Sequence, residues 1–152
     1  MFRALWKGAL AGAAGTTALN AATYLDMAMR ARPASGTPQQ AVAQLGERTG
    51  RPVTGTGEER DNRLAGLGPL LGIATGIGVG TAAGVLGPVL RRLPTTVGAL
   101  VLAGAAMAAS DLPLRRLGVT GPARWSAADW ASDAIPHLAY GIVANAALRE
   151  AA

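Results

Sequence analysis

The chain has 152 residues, half of them hydrophobic and only 15% charged, whereas soluble domains usually contain about 25% charged residues. This composition favours a protein in lipid, and the 21 glycines explain why the mean hydropathy is only +0.27. The net charge of +5 does not indicate nucleic-acid binding, because the basic residues form small groups beside apolar stretches and no basic stripe with interleaved aromatics is present. The absence of Cys excludes disulfides and thiolate metal sites.

Two apolar stretches that are interrupted by polar residues, 8–29 and 127–148, are expected to be the first and last of four membrane spans. The first contains Asn20 and Asp26 and follows basic residues, so a signal peptide is a competing interpretation. The last contains acidic residues in its first half and is expected to span only because neighbouring helices can shelter its polar face.

The polar loop 30–63 is expected to contain a short amphipathic helix that lies on the membrane or on the bundle. Thr37 is expected to be its N-cap, with Pro38 at the first helical position and Gln40 at the third. Gly50 follows as a residue that can end the helix.

Two uncharged runs in the second half of the sequence predict membrane spans by themselves, since a spanning helix needs about 20 mostly apolar residues. The run 64–90 lies between Arg63 and Arg91. The run 93–110 begins beside Pro94, and the span predicted from it covers 93–112, with Asp111 at its end. Together with the two flanking stretches, they predict an all-α fold: an integral membrane bundle of four transmembrane helices with one short amphipathic helix in the first loop, forming a single domain 1–152.

Glycines repeat at four-residue spacing through the run 64–90, and a shorter repeat occurs in the first stretch. Such a bare ridge allows two helix backbones to approach closely in lipid. We expect a packing seam inside the monomer, with a homo-oligomer contact or a pore lined by small residues as alternatives. The glycines are Gly68, Gly72, Gly76, Gly80 and Gly84, with Gly8 and Gly12 in the first stretch.

Polar residues follow one ridge of the last helix, at multiples of four residues: Asp129, Asp133, His137 and Asn145. One hypothesis is a polar track that binds an ion or passes protons, because ionisable groups within a membrane are expensive. The alternative is that the two acids are helix-start residues at the interface and that His137 is a satisfied hydrogen-bonding partner. Ser126 and Asp129 also form an acidic variant of the capping box.

Two acid–base pairs at four-residue spacing, Asp26 with Arg30 and Asp111 with Arg115, are expected to close their helices at the membrane interface. Tryptophans near the ends of predicted spans are typical of interface anchors. They are Trp6, Trp125 and Trp130.

No catalytic or cofactor chemistry is indicated by the motifs. One His and no Cys make a zinc site unexpected, and no G-x-S-x-G nucleophile motif is present. Gly78, Gly80 and Gly84 imitate a nucleotide-binding fingerprint, but that motif requires a preceding strand rather than a span. We therefore expect no catalytic residue, no metal and no cofactor.

The distribution of basic residues indicates an orientation, because cytoplasmic loops are enriched in Lys and Arg. With four spans, both termini and the 91–92 loop share one side, which carries fewer basic residues than the other. The two termini are therefore expected outside. The first side holds Arg3, Lys7, Arg91, Arg92 and Arg149, and the other holds Arg30, Arg32, Arg48, Arg51, Arg60, Arg63, Arg115, Arg116 and Arg124.

Three segments carry a resemblance to small uncharacterised multi-pass membrane proteins of actinobacteria: GALAGAAGTT (8–17), GEERDNRLAGLG (57–68) and GVTGPARWSAADWASDAIPHLAYG (118–141). The last segment is more distantly similar to the YagU-like inner-membrane proteins, although the glycine-rich span departs from that pattern. The resemblance implies a membrane fold and a membrane address, and it implies no catalytic residues.

The expected function is that of a non-enzymatic structural or accessory protein of the envelope, located in the inner or plasma membrane. Its expected partners are the lipid bilayer and a second copy or another membrane protein bound through the glycine face, with no nucleic acid. The alternative is a small transporter or channel-like protein that uses the polar ridge of the last helix.

Overall fold

The computed structural model describes residues 1–150, so the last two residues of the expected domain lie outside the described part. Residues 1–150 form six α-helices and one 3-10 turn (Pro122–Arg124), without a strand. The helices are α1 (Phe2–Arg30), α2 (Thr37–Arg48), α3 (Gly57–Val85), α4 (Gly87–Leu90), α5 (Thr95–Arg116) and α6 (Ala127–Glu150).

The four long helices, α1, α3, α5 and α6, alternate in direction. Gly8 near the start of α1 faces Gly84 near the end of α3, and Gly98 near the start of α5 faces Asn145 near the end of α6. Helix α1 lies between α3 and α6, while α5 packs on α6 and more lightly on α3. We call the end that holds α2 and the 3-10 turn the α2 end, and the end that holds Met1 and α4 the terminal end.

Helices α3 and α5 are long and apolar enough to cross a membrane, with mean hydropathies of 1.5 and 1.6 over an 18-residue window. Only 17% and 22% of these windows are buried, whereas the core helix of a soluble protein is mostly buried. Helices α1 and α6, the other two expected spans, contain more polar residues and do not meet the same threshold.

The predicted run 64–90 is not one continuous helix. Helix α3 begins earlier, at Gly57, and ends at Val85, and the short helix α4 follows after Leu86. Pro88 explains the break, because it has no N–H to donate to the carbonyl four residues earlier and its ring clashes with that carbonyl. The uncharged run was therefore correct as an apolar segment but wrong as a single helix.

The amphipathic helix in the first loop is present as α2, but its predicted cap was one residue late. Gly36 is the N-cap, and Thr37 is already helical, with its N–H donating to Ser35 Oγ at 3.2 Å. At the other end, Gly50 adopts a positive φ of 69°. Arg51 N–H donates to the Gly46 carbonyl at 2.8 Å, which closes the helix in a Schellman motif.

The remaining long helices extend beyond their predicted bounds: α1 begins at Phe2 and α5 continues through Pro113 to Arg116. The capping box of α6 is present, since the Ser126 N–H donates to Asp129 Oδ2 at 2.9 Å and the Asp129 N–H to Ser126 Oγ at 3.2 Å.

The two expected acid–base pairs have different outcomes. Asp26 and Arg30 form an ion pair with an N–O distance of 3.3 Å. Asp111 forms no ion pair with Arg115 among the described residues. Its Oδ1 accepts a hydrogen bond from Ser110 Oγ at 3.4 Å, and the carboxylate lines an internal cavity instead.

The glycine ridge of α3 divides into three parts. Near the terminal end it meets α1 directly: a Cβ added to Gly80 would lie 2.6 Å from the Gly8 carbonyl oxygen, and one added to Gly12 would lie 2.7 Å from the Gly76 carbonyl oxygen. Gly68 instead contacts the start of α2. Between them, Gly72 has no neighbour within 4 Å of an added Cβ.

Candidate functional site

A cavity of about 520 Å³ lies at the α2 end, bounded by all four long helices and by α2. Its size falls within the range of small-molecule sites, roughly 300–1,000 Å³. Most of the wall is apolar, including Leu19 of α1, Leu45 of α2, Leu71 of α3 and Leu114 of α5. We call this space the α2-end cavity, and its polar groups are concentrated where α5 and α6 meet.

Asp111 and Ser110 of α5 and Asp133 and His137 of α6 line one side of the cavity, and we call them the Asp–His cluster; Asn20, Thr23, Gln39 and Thr75 add uncharged polar groups elsewhere on the wall. His137 Nδ1 lies 2.8 Å from the carbonyl oxygen of Asp133, so it must carry a proton and donate there. The same nitrogen lies 3.5 Å from Asp133 Oδ1, and Nε2 lies 3.3 Å from Ser110 Oγ. Two carboxylates from different helices thus face one cavity.

Two buried polar atoms at this cavity have no hydrogen-bond partner among the described residues. They are Asp133 Oδ2 and Gln39 Oε1, and both residues line the cavity. Unpaired buried oxygens are costly, because the desolvation of each is not compensated by a hydrogen bond. Both atoms are hydrogen-bond acceptors. A ligand in the cavity could supply the donors that they lack, and Asp133 could also carry a proton of its own.

Prolines within three of the long helices line the same cavity: Pro69 of α3, Pro113 of α5 and Pro136 of α6. A proline inside a helix leaves the carbonyl four residues earlier without its backbone partner. For α5 and α6 these carbonyls belong to Ala109 and Ser132, which also line the cavity. Each proline therefore leaves a carbonyl acceptor without its usual backbone donor in a helix that borders the cavity.

A second space of about 520 Å³ adjoins the first, and Asp111 and Asp133 line both. Its basic residues, Arg30 and Arg32, are engaged with a third carboxylate. Both donate to Asp26, and Arg30 also donates to Ser132 Oγ at 2.6 Å. Both guanidinium groups thus share the single carboxylate of Asp26, and among the described residues no Lys or Arg lines the α2-end cavity itself.

Tyr140 closes the cavity toward the terminal end. Its side chain is fully buried, and its hydroxyl donates to the Gly76 carbonyl at 2.7 Å. Beyond it, α6 is pressed onto α5, since a Cβ added to Gly141 would lie 2.8 Å from Ala103 Cβ.

The polar residues predicted to form one ridge of α6 therefore lie in three different environments. Asp133 and His137 line the cavity, while Asp129 is exposed and caps the helix start. Asn145 belongs to a separate buried group at the terminal end: its Nδ2 donates to the Thr95 carbonyl at 3.0 Å. A continuous polar path would have to pass Tyr140 and the close-packed glycine contacts.

Ser110, His137 and Asp133 follow the order of a nucleophile–base–acid triad, but their surroundings do not suit acyl transfer. The Ser110 hydroxyl lies closer to the Met107 carbonyl, at 2.9 Å, than to His137 Nε2. An oxyanion also needs preorganised donors, whereas the carboxylates of Asp111 and Asp133 lie beside Ser110 and His137. The chemistry that the wall supports is the binding of a positively charged or hydrogen-donating group.

Comparisons of the chain with known protein families, with curated proteins and with solved structures find no match. Function is therefore inferred from the site and from the surface of the molecule.

Sequence reasoning identified Asp133 and His137 but missed three other parts of the cavity wall. Asp111 was assigned to a surface pair, and Tyr140 and Gln39 were not singled out. The in-helix prolines were the available signal, because each marks a disturbance of its helix and all of them line this cavity.

Proposed function

We propose that the chain is a four-span integral membrane protein of the plasma or inner membrane and serves as a non-enzymatic structural or accessory component of the envelope. The observation that carries this proposal is that large apolar side chains lie on the outer surface of the bundle, whereas in a soluble protein they lie in the core. Leu10, Leu70, Leu100 and Ile142, one on each long helix, are more than half exposed. An apolar surface on every long helix is unfavourable in water and suits lipid.

Four of the polar residues that lower the hydropathy of α1 and α6 lie on the inner side of the bundle. Thr16 and Asn145 are buried, and Asn20 and His137 line the cavity. Polar groups of spanning helices are expected to face the bundle interior. Average hydropathy therefore underestimates how well these two helices suit a membrane.

The lengths of the helices also support four spans. The shortest of the four long helices, α5, has 22 residues, which at 1.5 Å per residue gives roughly 33 Å. The hydrocarbon core of a bilayer is about 30 Å thick. Trp6 near one end and Trp130 near the other are both substantially exposed, as expected of interface anchors.

Cysteine labelling can distinguish four spans from two, because the chain has no native Cys. Exposed positions at the ends of the helices are available for Phe2→Cys, Ser35→Cys, Thr96→Cys and Ala123→Cys. With four spans, a membrane-impermeant maleimide should reach positions 35 and 123 from one side of sealed vesicles, and positions 2 and 96 from the other.

The side from which position 2 is labelled distinguishes four spans from two. If only α3 and α5 cross the membrane, position 2 is labelled from the same side as positions 35 and 123, and the four-span proposal is wrong. Labelling of all four variants after detergent solubilisation is the control for reactivity. Extraction of the wild-type protein by alkaline carbonate would exclude an integral membrane location altogether.

Transport is a second candidate function, and the observation that favours it is the cluster of Asp111, Asp133 and His137 beside a cavity. Proteoliposome flux measurements test it directly. Proton or ion flux that is lost in His137→Ala and retained in Asp61→Asn, an exposed acid at the start of α3, would favour transport over the accessory role. Absence of flux in the wild type would leave the accessory role as the better proposal.

A further inference from the structure

We infer that the α2-end cavity is a binding site for a hydrophobic organic cation, with its ammonium group against Asp111 and Asp133 and its apolar body along α3 and α5. The inference deepens the proposed function and rests on it, since the apolar body would enter from lipid. It assigns a ligand class to a membrane protein that is otherwise described only by its fold.

The charge of the wall selects a cation. Asp111, Asp133 and His137 are the only residues of the Asp, Glu, Lys, Arg and His types that line the cavity. The nearest arginines, Arg30 and Arg32, are already paired with Asp26. An anionic headgroup would meet two carboxylates without a free basic partner, whereas an ammonium group would complement them.

The hydrogen-bonding groups of the wall favour a donor. Gln39 Oε1 and Asp133 Oδ2 are unpartnered acceptors from two different helices. Pro113 and Pro136 have no N–H to donate to the carbonyls of Ala109 and Ser132, two residues that line the cavity. A protonated amine offers up to three N–H donors, so it fits this set better than a quaternary ammonium ion or a neutral alcohol.

The apolar part of the wall selects a hydrophobic body. Leu71 and Ile73 of α3 and Leu114 of α5 contribute apolar surface to the cavity wall. A small hydrated metal ion would gain nothing from this surface, and it would need about six oxygen ligands. An amine with an aliphatic chain or ring would contact both the acidic and the apolar parts of the cavity wall.

Gly72 provides an independent way to test occupancy. It lies on the same ridge as Gly68, which faces α2, and Gly76, which faces Thr16 and Tyr140, so its Cβ position points into the space between them. No atom lies within 4 Å of that position. Gly72→Leu would thus add an apolar side chain to the cavity wall from a position where the Cβ meets no other atom, and Gly78→Leu, at another open position outside the cavity wall, is the matched control.

The binding experiment uses the full chain in phosphatidylcholine nanodiscs, with empty nanodiscs as the calorimetric reference. Decylamine, decanol and decanoate share one chain and differ in headgroup charge. We expect saturable binding of one decylamine per protein and at least tenfold weaker binding of the other two, because charge-assisted hydrogen bonds exceed neutral ones in strength. Equal binding of all three compounds would overturn the inference and indicate a site for a lipid chain.

Variants locate the binding. The double substitution Asp111→Asn with Asp133→Asn should weaken decylamine binding about tenfold or more, whereas Asp61→Asn should leave it unchanged. Gly72→Leu should abolish binding and Gly78→Leu should not. Unchanged affinity in the double variant, with native helix content by circular dichroism, would overturn the inference. If the double variant does not fold, the comparison of the three headgroups on the wild type still decides.

The inference and the proposed function can fail separately. Labelling of position 2 from the wrong side would refute the four-span arrangement whatever the titrations show. Correct labelling without any preference for decylamine would refute the ligand class and leave the membrane arrangement intact.

Discussion

The substitution Gly80→Ala tests whether the close approach of α1 and α3 stabilises the fold. A Cβ at position 80 would lie 2.6 Å from the Gly8 carbonyl oxygen and close to the backbone of Gly12. Ordinary van der Waals contact begins at 3.4 Å, so the two helices have to separate by at least about 0.8 Å at this point, since the Gly12 backbone lies nearer still. The obstacle is backbone on both sides and cannot rotate away.

The expected loss of stability follows from this separation of the two helices. A gap of 0.5–1 Å removes roughly a quarter to a half of the dispersion energy of the contacts concerned, and overpacked sites typically lose about 1–3 kcal/mol. Replacing Gly by Ala also favours the helix itself by about 1 kcal/mol in water. Gly78→Ala is the matched control for this gain, because no atom lies within 4 Å of an added Cβ at Gly78.

The assay is reversible unfolding in mixed micelles with increasing SDS, followed by circular dichroism. We expect the free energy of unfolding of Gly80→Ala to be about 1–3 kcal/mol lower than that of Gly78→Ala. Equal stability of the two variants would refute the close packing of α1 on α3. A change in oligomeric state by crosslinking, without a change in the stability of the monomer, would assign the glycine ridge to a contact between copies instead.

Three further substitutions test single hydrogen bonds in the same unfolding assay. Tyr140→Phe removes the donor to the Gly76 carbonyl and should destabilise the protein by about 1 kcal/mol; no loss would show that this bond is replaced in the variant. Ser126→Ala removes half of the capping box and should cost about 1 kcal/mol; unchanged stability would show that the cap does not stabilise α6. Asn145→Ala removes the side-chain donor to the Thr95 carbonyl and should destabilise by about 1 kcal/mol; a neutral effect would exclude a structural role for this amide.

The sequence predicted the helices well because their signals are local. An uncharged run, a capping box or a glycine with positive φ acts within one or two turns, and Ser126–Asp129 and Gly50 appear in the structure as expected. The single-helix interpretation of 64–90 failed because hydropathy does not register the lost N–H of Pro88. Here a backbone constraint overrode a favourable composition.

The candidate site was less predictable because its residues come together only through tertiary packing. Asp133 and His137 lie on one helix at four-residue spacing, which a sequence pattern can reveal. Asp111 joins them from α5. Its spacing to Arg115 predicted an ion pair at the membrane interface, and no local feature of the sequence indicates that its carboxylate lines the cavity instead. Gln39 reaches the cavity only because α2 folds back onto Gly68.

The regular spacing of the glycines on α3 conceals two different roles, and the neighbouring helices decide between them. At the terminal end, α1 offers Gly8 and Gly12, so bare backbone meets bare backbone and no space remains. At the α2 end, α3 carries Pro69 and faces the proline-containing parts of α5 and α6, so the same bare ridge borders a cavity. A glycine ridge removes side chains from one face of a helix, and the shape of the opposing surface determines whether the result is a seam or a binding site.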